Sequence, residues 1–534
     1  MQHRPKILPF VLVFCLAFFY NAFLLGWDFL NPQALWLATK GDIACHYVSS
    51  IFFLNEPWHW PLGIIETQNI AAATSIGLTD SIPLVAFTLK LIGVGGGVQY
   101  FGIWYLLNIF LIGTFGVLWA KEYTPSPALQ VLTAAFLMAS PLILMRMLVH
   151  PALAAQWLIV AALFFYQKPW RITPWGVLVA IAALTHPYLL AMVLALAFFK
   201  AICAKKWWSI VFFALLAFVL LDLSGYFVGT ALHGGGFGQN RARPYVFLMP
   251  KLVEHSLFPG LGILLLALVL ICFYKKNKNN IQFFSKYSKG LGWCIFLMTL
   301  YAFLTSRFGR LWLVGDIFQM FRTNVRFGWP FVYFFMLFIL VGIIQSFPKK
   351  TAIILLTIAF IWQISPFHPF SDIYGQFRLI MAERKQTTFP NADELKMLAK
   401  NNNTLILFSK KLESGDDYYD YVSDALPFAH FAANKKMQTN FLCQGHPDLK
   451  TATLFQEKEW QNLKNGIQKP HTLYVFLNDY KADFLKENLP SELAQNLIFF
   501  KNHTVLPAKK RFSTVNTKKI SSLPWKKTTT PKYH

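Results

Sequence analysis

The chain has 534 residues, of which 55% are hydrophobic, 17% aromatic and only 14% charged, with a formal net charge of +24. A soluble domain carries roughly 25% charged residues, whereas here the apolar residues gather in runs of about 15–22, enough to cross a bilayer core about 30 Å thick. These values exclude a soluble globular protein, and nucleic acid is excluded as a partner because Lys and Arg sit in short loops and the tail, where topology and anionic lipid account for them.

The first apolar run, 7–25, follows Arg4 and Lys6 and is followed by GWDFLNP (26–32), which offers no small-x-small cleavage site. It reads as a retained transmembrane helix rather than a signal peptide. Hydropathy predicts ten further spans at 98–120, 128–146, 151–167, 173–186, 187–203, 207–228, 256–274, 290–306, 329–347 and 351–365. The run 81–93 is interrupted by Lys90 and reads as interfacial. With the N-terminus inside, the inner loops hold fifteen Lys or Arg and one acid, Glu122, which fits the positive-inside rule. The expected fold is therefore an α-helical polytopic membrane protein of about eleven spans, residues 1–365, with a large outer loop at 26–97.

That outer loop contains KGDIACHYVSSIFFLNEPWHWPLG (40–63). Asp42 and His46 are four apart and share a face if the segment is helical. HYVSSIFFL then reads as an interfacial amphipathic helix ended by Pro57, with Trp58 and Trp60 at head-group depth. Asp42 can equally be read as a helix cap, and His46 as a packing histidine. Glu56 and His59 are accessory candidates. In GLTDSIPL (77–84), Asp80 is either the cap of the next helix or a second acid. Two acids in one loop could act as base and acceptor-orienting group, or hold a divalent ion such as Mg or Mn.

Arg146 and His150 lie four apart at the outer end of a span, and His186 lies at the tip of the next hairpin. Ionisable groups at membrane depth are functional candidates. SRFGRLWLVGDIFQMFRTNVRFGWP (306–330) adds Arg307, Arg310, Arg322 and Arg326 on the side where topology predicts few cations. Arginine binds phosphate through a fixed fork, so this block suggests a lipid phosphate or diphosphate, with ordinary phospholipid as the alternative. The glycine-rich loop LHGGGFGQNRARPY (232–245) lacks P-loop spacing and reads as a flexible lid.

From residue 366 the chain turns polar, and TLILF (404–408) and TLYVFLN (472–478) alternate with helical stretches, which predicts an exported α/β domain over 366–500. From Lys501 to the end there are nine basic residues and no acid, so 501–534 reads as a disordered arm. The six cysteines form no CxxC pair and suggest neither a metal site nor a disulfide scaffold. Cys45 and Cys443 alone fall outside the membrane; their pairing requires the C-terminal domain to dock over the first loop, and the sequence leaves it open.

This pattern resembles the GT-C superfamily of membrane glycosyltransferases. GDIACHY (41–47) with NEPWHWPLG (55–63), TDSIPL (79–84), HPALAAQWLI (150–159), FRTNVRFGWP (321–330) and FAHFAANKKMQTNF (428–441) are more narrowly similar to a bacterial uncharacterised, DUF6311-type membrane-protein family. The resemblance implies a transferase of the cytoplasmic membrane of a bacterium, with its sites on the outer face. It would move a hexosyl or pentosyl group from a polyprenyl-phosphate donor to an envelope glycan or lipid acceptor. Asp42 would be the base, Asp80 a second acid beside His46, and Arg322 with Arg326 the donor-phosphate site, helped by Arg146, His150, Arg307 and Arg310. A transporter or flippase, or a non-catalytic assembly factor for lipid-linked glycans, remains the alternative.

Overall fold

The computed structural model describes residues 7–72, 74–228, 241–248, 253, 256–277, 289–304, 321, 323–365, 373–389, 392–414, 417–445, 447–499 and 502–508. Its helices in chain order are α1 (Leu8–Leu25), α2 (Asp42–Asn55), α3 (Pro83–Leu91), α4 (Phe101–Lys121), α5 (Pro127–Met138), α6 (Pro141–Val149), α7 (Trp157–Tyr166), α8 (Ile172–Ala183), α9 (Pro187–Cys203) and α10 (Trp208–Leu223). They continue with α11 (Leu261–Asn277), α12 (Lys289–Phe303), α13 (Trp329–Ser346), α14 (Lys349–Ile364), α15 (Ile373–Lys385), α16 (Lys411–Ser414), α17 (Tyr418–Asn434), α18 (Leu449–Lys464), α19 (Ala482–Asn488) and α20 (Ser491–Ala494). The chain divides into two compact units. A helical unit comprises Met1–Leu37, Gln99–Asp222 and Leu232–Arg384; a mixed unit comprises Ala38–Val98, Leu223–Ala231 and Lys385–His534.

In the helical unit, each apolar run read as a span carries a helix, but the count of eleven spans is not sustained. Among the described residues, three helices are long and apolar enough to cross a membrane: α1, α4 and Asn324–Ser346. The number is four if α5 and α6, bent by 43° at their junction, make one span. Length is the reason. At 12 residues, α8 reaches only about 18 Å against a core of about 30 Å. The α5–α6 bend follows from Ser140, whose extended backbone precedes Pro141 in the first turn.

Small residues let these helices approach. A Cβ on Gly116 would lie 2.8 Å from Ala134, and one on Gly113 would lie 2.6 Å from Val13. Carbonyls freed where helices break find side-chain donors, as an apolar setting demands. Trp104 donates to Pro151 O at 2.7 Å, Tyr105 to Met147 O at 2.9 Å and Arg384 to Leu148 O at 2.9 Å. Gln363 donates to Pro259 O at 3.1 Å and accepts from Gly262 N at 3.0 Å, which ties α14 to the start of α11.

The mixed unit is built from segments distant in sequence. Strands β1 (Ile64–Ile65) and β2 (Thr74–Ser75) form a short antiparallel hairpin. Residues 223–225 thread against it: Gly63 N donates to Leu223 O at 2.8 Å, and Ser75 Oγ donates to Gly225 O at 2.9 Å. Gly63 is required there, because a Cβ would run into the Ser224 carbonyl. The remaining strands are β3 (Thr404–Phe408), β4 (Gln438–Thr439), β5 (Thr472–Phe476), β6 (Ile498–Phe499) and β7 (Thr504–Leu506). They form one sheet in the order β4-β3-β5-β7-β6, parallel across the first three and antiparallel thereafter.

The pleat sends Ile406, Phe408, Tyr474 and Phe476 to the same face, where they join Trp460 and Phe455 of α18 in one core. The outer-loop segment 67–70 extends the sheet edge. Thr439 N donates to Thr67 O at 2.8 Å and Ile70 N to Thr439 O at 2.9 Å, with Asn69 bridged antiparallel to Asn440. Helix α2 packs on α17, with Asn55 Nδ2 donating to Ala433 O at 3.0 Å. Cys45 of α2 is disulfide-bonded to Cys443.

The expectation that α2 is interfacial is overturned. Every residue from Ile43 to Leu54 is buried, including His46, Ser49 and Ser50, so the helix lies inside the mixed unit. An interfacial helix would leave its polar face in water. Trp58 and Trp60 remain exposed.

Candidate functional site

Helix α2 starts at Asp42, and Gly41, with φ 64°, takes the cap position. The capping role open to Asp42 therefore falls to a residue without a side chain. One turn on, His46 is 6% exposed. The turn Thr79–Ser81 folds over it. Asp80 and Ile82 both adopt the left-handed region, with φ 54° and 55°, a conformation that costs about 1–3 kcal/mol for a residue other than glycine. It lets three consecutive residues address one histidine. The Thr79 carbonyl lies 2.6 Å from His46 Nδ1, Ser81 Oγ donates to the His46 carbonyl at 2.8 Å, and Asp80 Oδ2 lies 3.8 Å from Nε2. A carbonyl only accepts, so Nδ1 carries a hydrogen and Nε2 faces the carboxylate.

The capping role read for Asp80 is not taken. The cap of α3 is Ile82, with Pro83 in the first turn. Sequence reading missed Tyr226, whose ring packs against Gly77 at the start of the same loop. Burial, and then the charge of Asp80, hold its phenol well above its ordinary pKa, so it stays protonated. No local motif marks it, since it follows a long apolar helix and reaches the loop only through the tertiary fold.

Glu56 and His59 take part in a separate set of contacts. Glu56 Oε2 accepts from Glu66 N and Thr67 N at 3.2 Å and from Thr67 Oγ1 at 2.8 Å, and His59 Nδ1 lies 3.4 Å from Glu66 Oε1. Burial raises the Glu56 carboxyl above its ordinary pKa, against the opposing pull of Thr67. Lys90 lies 3.9 Å from the Phe53 ring centroid and 4.7 Å from that of Trp58. Burial lowers its ammonium to about 8.

The helical unit gathers its own basic side chains. Arg326, 5% exposed, lies over the Tyr188 ring at 4.6 Å. The His186 ring stands 5.5 Å from the same tyrosine, and the Tyr188 hydroxyl accepts from Thr323 N at 2.7 Å. Arg146, 2% exposed, lies 5.7 Å from the Trp329 ring. Arg146 therefore reaches the first residue of α13, and Arg326, just before that helix, reaches α9. His150 ends α6 and is half-buried. Arg307, Arg310 and Arg322, residues 232–240 of the glycine-rich loop, and all of the 501–534 arm except 502–508 lie outside the described residues.

A family model described as "Domain of unknown function (DUF6311)" matches residues 13–367, and one described as "DUF6311 C-terminal domain" matches residues 394–496. No curated protein matches the chain.

Proposed function

We propose, for a chain that belongs to the DUF6311 family, an integral-membrane transfer of a sugar from a polyprenyl-phosphate donor to an envelope glycan or lipid acceptor. The observation that carries this reading is the His46–Asp80 contact of 3.8 Å, one helical turn from Asp42. The acceptor hydroxyl gives its proton to this pair, its oxygen attacks the anomeric carbon, and the bond from that carbon to the phosphate oxygen breaks. The electron pair leaves with the polyprenyl phosphate, and the anomeric centre inverts. Asp42, on the same face of α2 as His46, orients the acceptor or takes the proton itself.

In the reading from sequence, Arg146, Arg307, Arg310, Arg322 and Arg326 supply the fixed positive charge for the departing phosphate. A GT-C-type multi-span chain, its N-terminus inside a bacterial cytoplasmic membrane and its first loop outside, is the architecture in which this chemistry fits. The Cys45–Cys443 disulfide supports that sidedness, because such bonds persist in oxidising compartments. An imidazole and a carboxylate are also donors that suit Mn, and Mg less well.

The test is sugar release from a panel of radiolabelled polyprenyl-phosphate sugars by the protein in nanodiscs, with and without EDTA. Wild type should release sugar, and Asp80→Asn and Asp42→Asn should be compared with it. Equal turnover by wild type and both variants would remove the proton-accepting group from the loop. Lipid binding that depends on Arg326, with no release from any donor, would favour a transporter or an assembly factor for lipid-linked glycans.

A further inference from the structure

The C-terminal sheet holds a second cluster of reactive side chains that the transfer reading does not use. From β3 the chain passes through α17 to β4 on one side, then returns through α18 to β5 on the other side of β3. The winding therefore reverses between β3 and β5. In open α/β sheets the crevice at such a reversal, beyond the carboxyl ends of the strands, is where ligands bind.

Here β3 is followed by Ser409, Lys410 and Lys411, and β5 is followed closely by Asp479 and Tyr480. The pairing of Phe476 with Thr504 brings His503 to the same end of the sheet. Gln456 fixes the first loop, accepting from Ser409 N at 2.9 Å and donating to Ser409 O at 2.8 Å. One oxygen of Asp479 is saturated: Oδ2 accepts from Ser409 Oγ at 2.7 Å, Lys410 N at 2.6 Å and Lys411 N at 3.1 Å. Its other oxygen, Oδ1, is shielded from solvent yet hydrogen-bonds to no described residue, and the same is true of His503 Nδ1.

The two groups lie within electrostatic reach of one another. Burial lowers the His503 pKa against the opposing charges of Asp424 and Asp479, and Lys411 lowers it further. Its imidazole is thus kept neutral, able to donate or to accept. Lys411 is itself paired with Asp424 at 2.7 Å. At the rim, the Lys410 ammonium lies 4.3 Å from the Phe484 ring and 5.3 Å from the Tyr480 ring.

The chemistry selects among ligand classes. A phosphate would meet Asp424 and Asp479, and the backbone amides that could bind it already serve Asp479 Oδ2. A neutral polyol suits the cluster better. Its hydroxyls can donate to a carboxylate oxygen and exchange hydrogen bonds with a neutral imidazole, while its C–H face lies against aromatic rings. We infer that this crevice binds a saccharide, with Asp479 and His503 hydrogen-bonding ring hydroxyls and Lys410 and Phe484 forming the rim. The inference stands on the C-terminal sheet alone and does not require the transfer reading.

The experiment applies full-length protein in nanodiscs to an array of immobilised neutral oligosaccharides built from hexoses, pentoses and N-acetylhexosamines. Inorganic phosphate serves as the soluble competitor. At least one saccharide should be retained, and His503→Ala and Asp479→Asn should each weaken that binding about tenfold. His503→Ala disturbs none of the hydrogen bonds that fix the β3 loop, so its loss of binding with an unchanged melting temperature separates recognition from folding. Retention of no saccharide overturns the inference, as does wild-type affinity in both variants or displacement of the saccharide by inorganic phosphate. Sugar release that depends on Asp80 would be untouched by any of these outcomes, so the two readings fail separately.

Discussion

The two units bury opposite kinds of charge. Among the described residues, the helical unit buries Arg146, Arg326 and Arg384 and no carboxylate, whereas the mixed unit buries Glu56, Glu459, His46 and His430 and no lysine or arginine. The difference is between permanent and adjustable charge. A guanidinium keeps its proton at any ordinary pH, so its burial must be offset by partners, here the Leu148 carbonyl and the faces of Tyr188 and Trp329. A carboxyl or an imidazole can instead change its protonation to suit its surroundings, as the raised Glu56 shows. One unit thus buries charge that is fixed at every ordinary pH, the other groups whose charge can change.

The sharpest way to break this contrast is kinetic. Asp80→Asn should lower sugar transfer by about 10²–10⁴ and alter the pH profile of what remains. Arg326→Met should lower transfer equally at all pH values, because the group it removes does not titrate. If the Arg326 variant changes the profile and the Asp80 variant does not, the division of roles is reversed.

The next effect concerns assembly of the mixed unit. Cys45→Ser or Cys443→Ser should cost about 2–5 kcal/mol, read as a lower melting temperature that reductant reproduces in wild type. Gly63→Ala should cost about 1–3 kcal/mol, because the new Cβ meets the Ser224 carbonyl. The same alanine at Gly292, which has no neighbour within 4 Å, is the control.

The smallest effects are titrations. Glu56 has a raised folded pKa, so the folded chain holds more protons than the unfolded one between the ordinary and raised values. Stability is lost as pH climbs through that window, and Glu56→Gln should remove the slope. Lys90 has the opposite sign. Between about 8 and 10.5 the unfolded lysine holds more protons, so stability rises with pH there. Acylation of the Lys90 amine should be half-maximal near pH 8, well below that of an exposed lysine.

The positions of the helices were legible because apolar runs of this length have few other uses; their lengths were not. Breaks such as Ser140–Pro141 depend on which carbonyls find donors elsewhere in the fold. The sequence HYVSSIFFL shows a polar face but cannot show that α17, far along the chain, covers it. Asp42 and His46 could be paired from their spacing of four. Asp80 could not be turned toward His46, because Ile82 at positive φ is what a β-branched residue resists most. The Cys45–Cys443 bond was left open for the same reason as α2: it depends on how segments of the mixed unit distant in sequence come together.

That bond also sets a clock. Its two cysteines are 398 residues apart, a stretch that takes roughly 20–80 s to synthesise at 5–20 residues per second. Throughout that interval the Cys45 thiol is without its partner, and the 67–70 segment is without the strand it completes. A chain stalled short of Cys443 would present both a reactive thiol and an open sheet edge. Trapping such chains with an added disulfide should yield a mixed disulfide at Cys45 that disappears once synthesis passes Cys443.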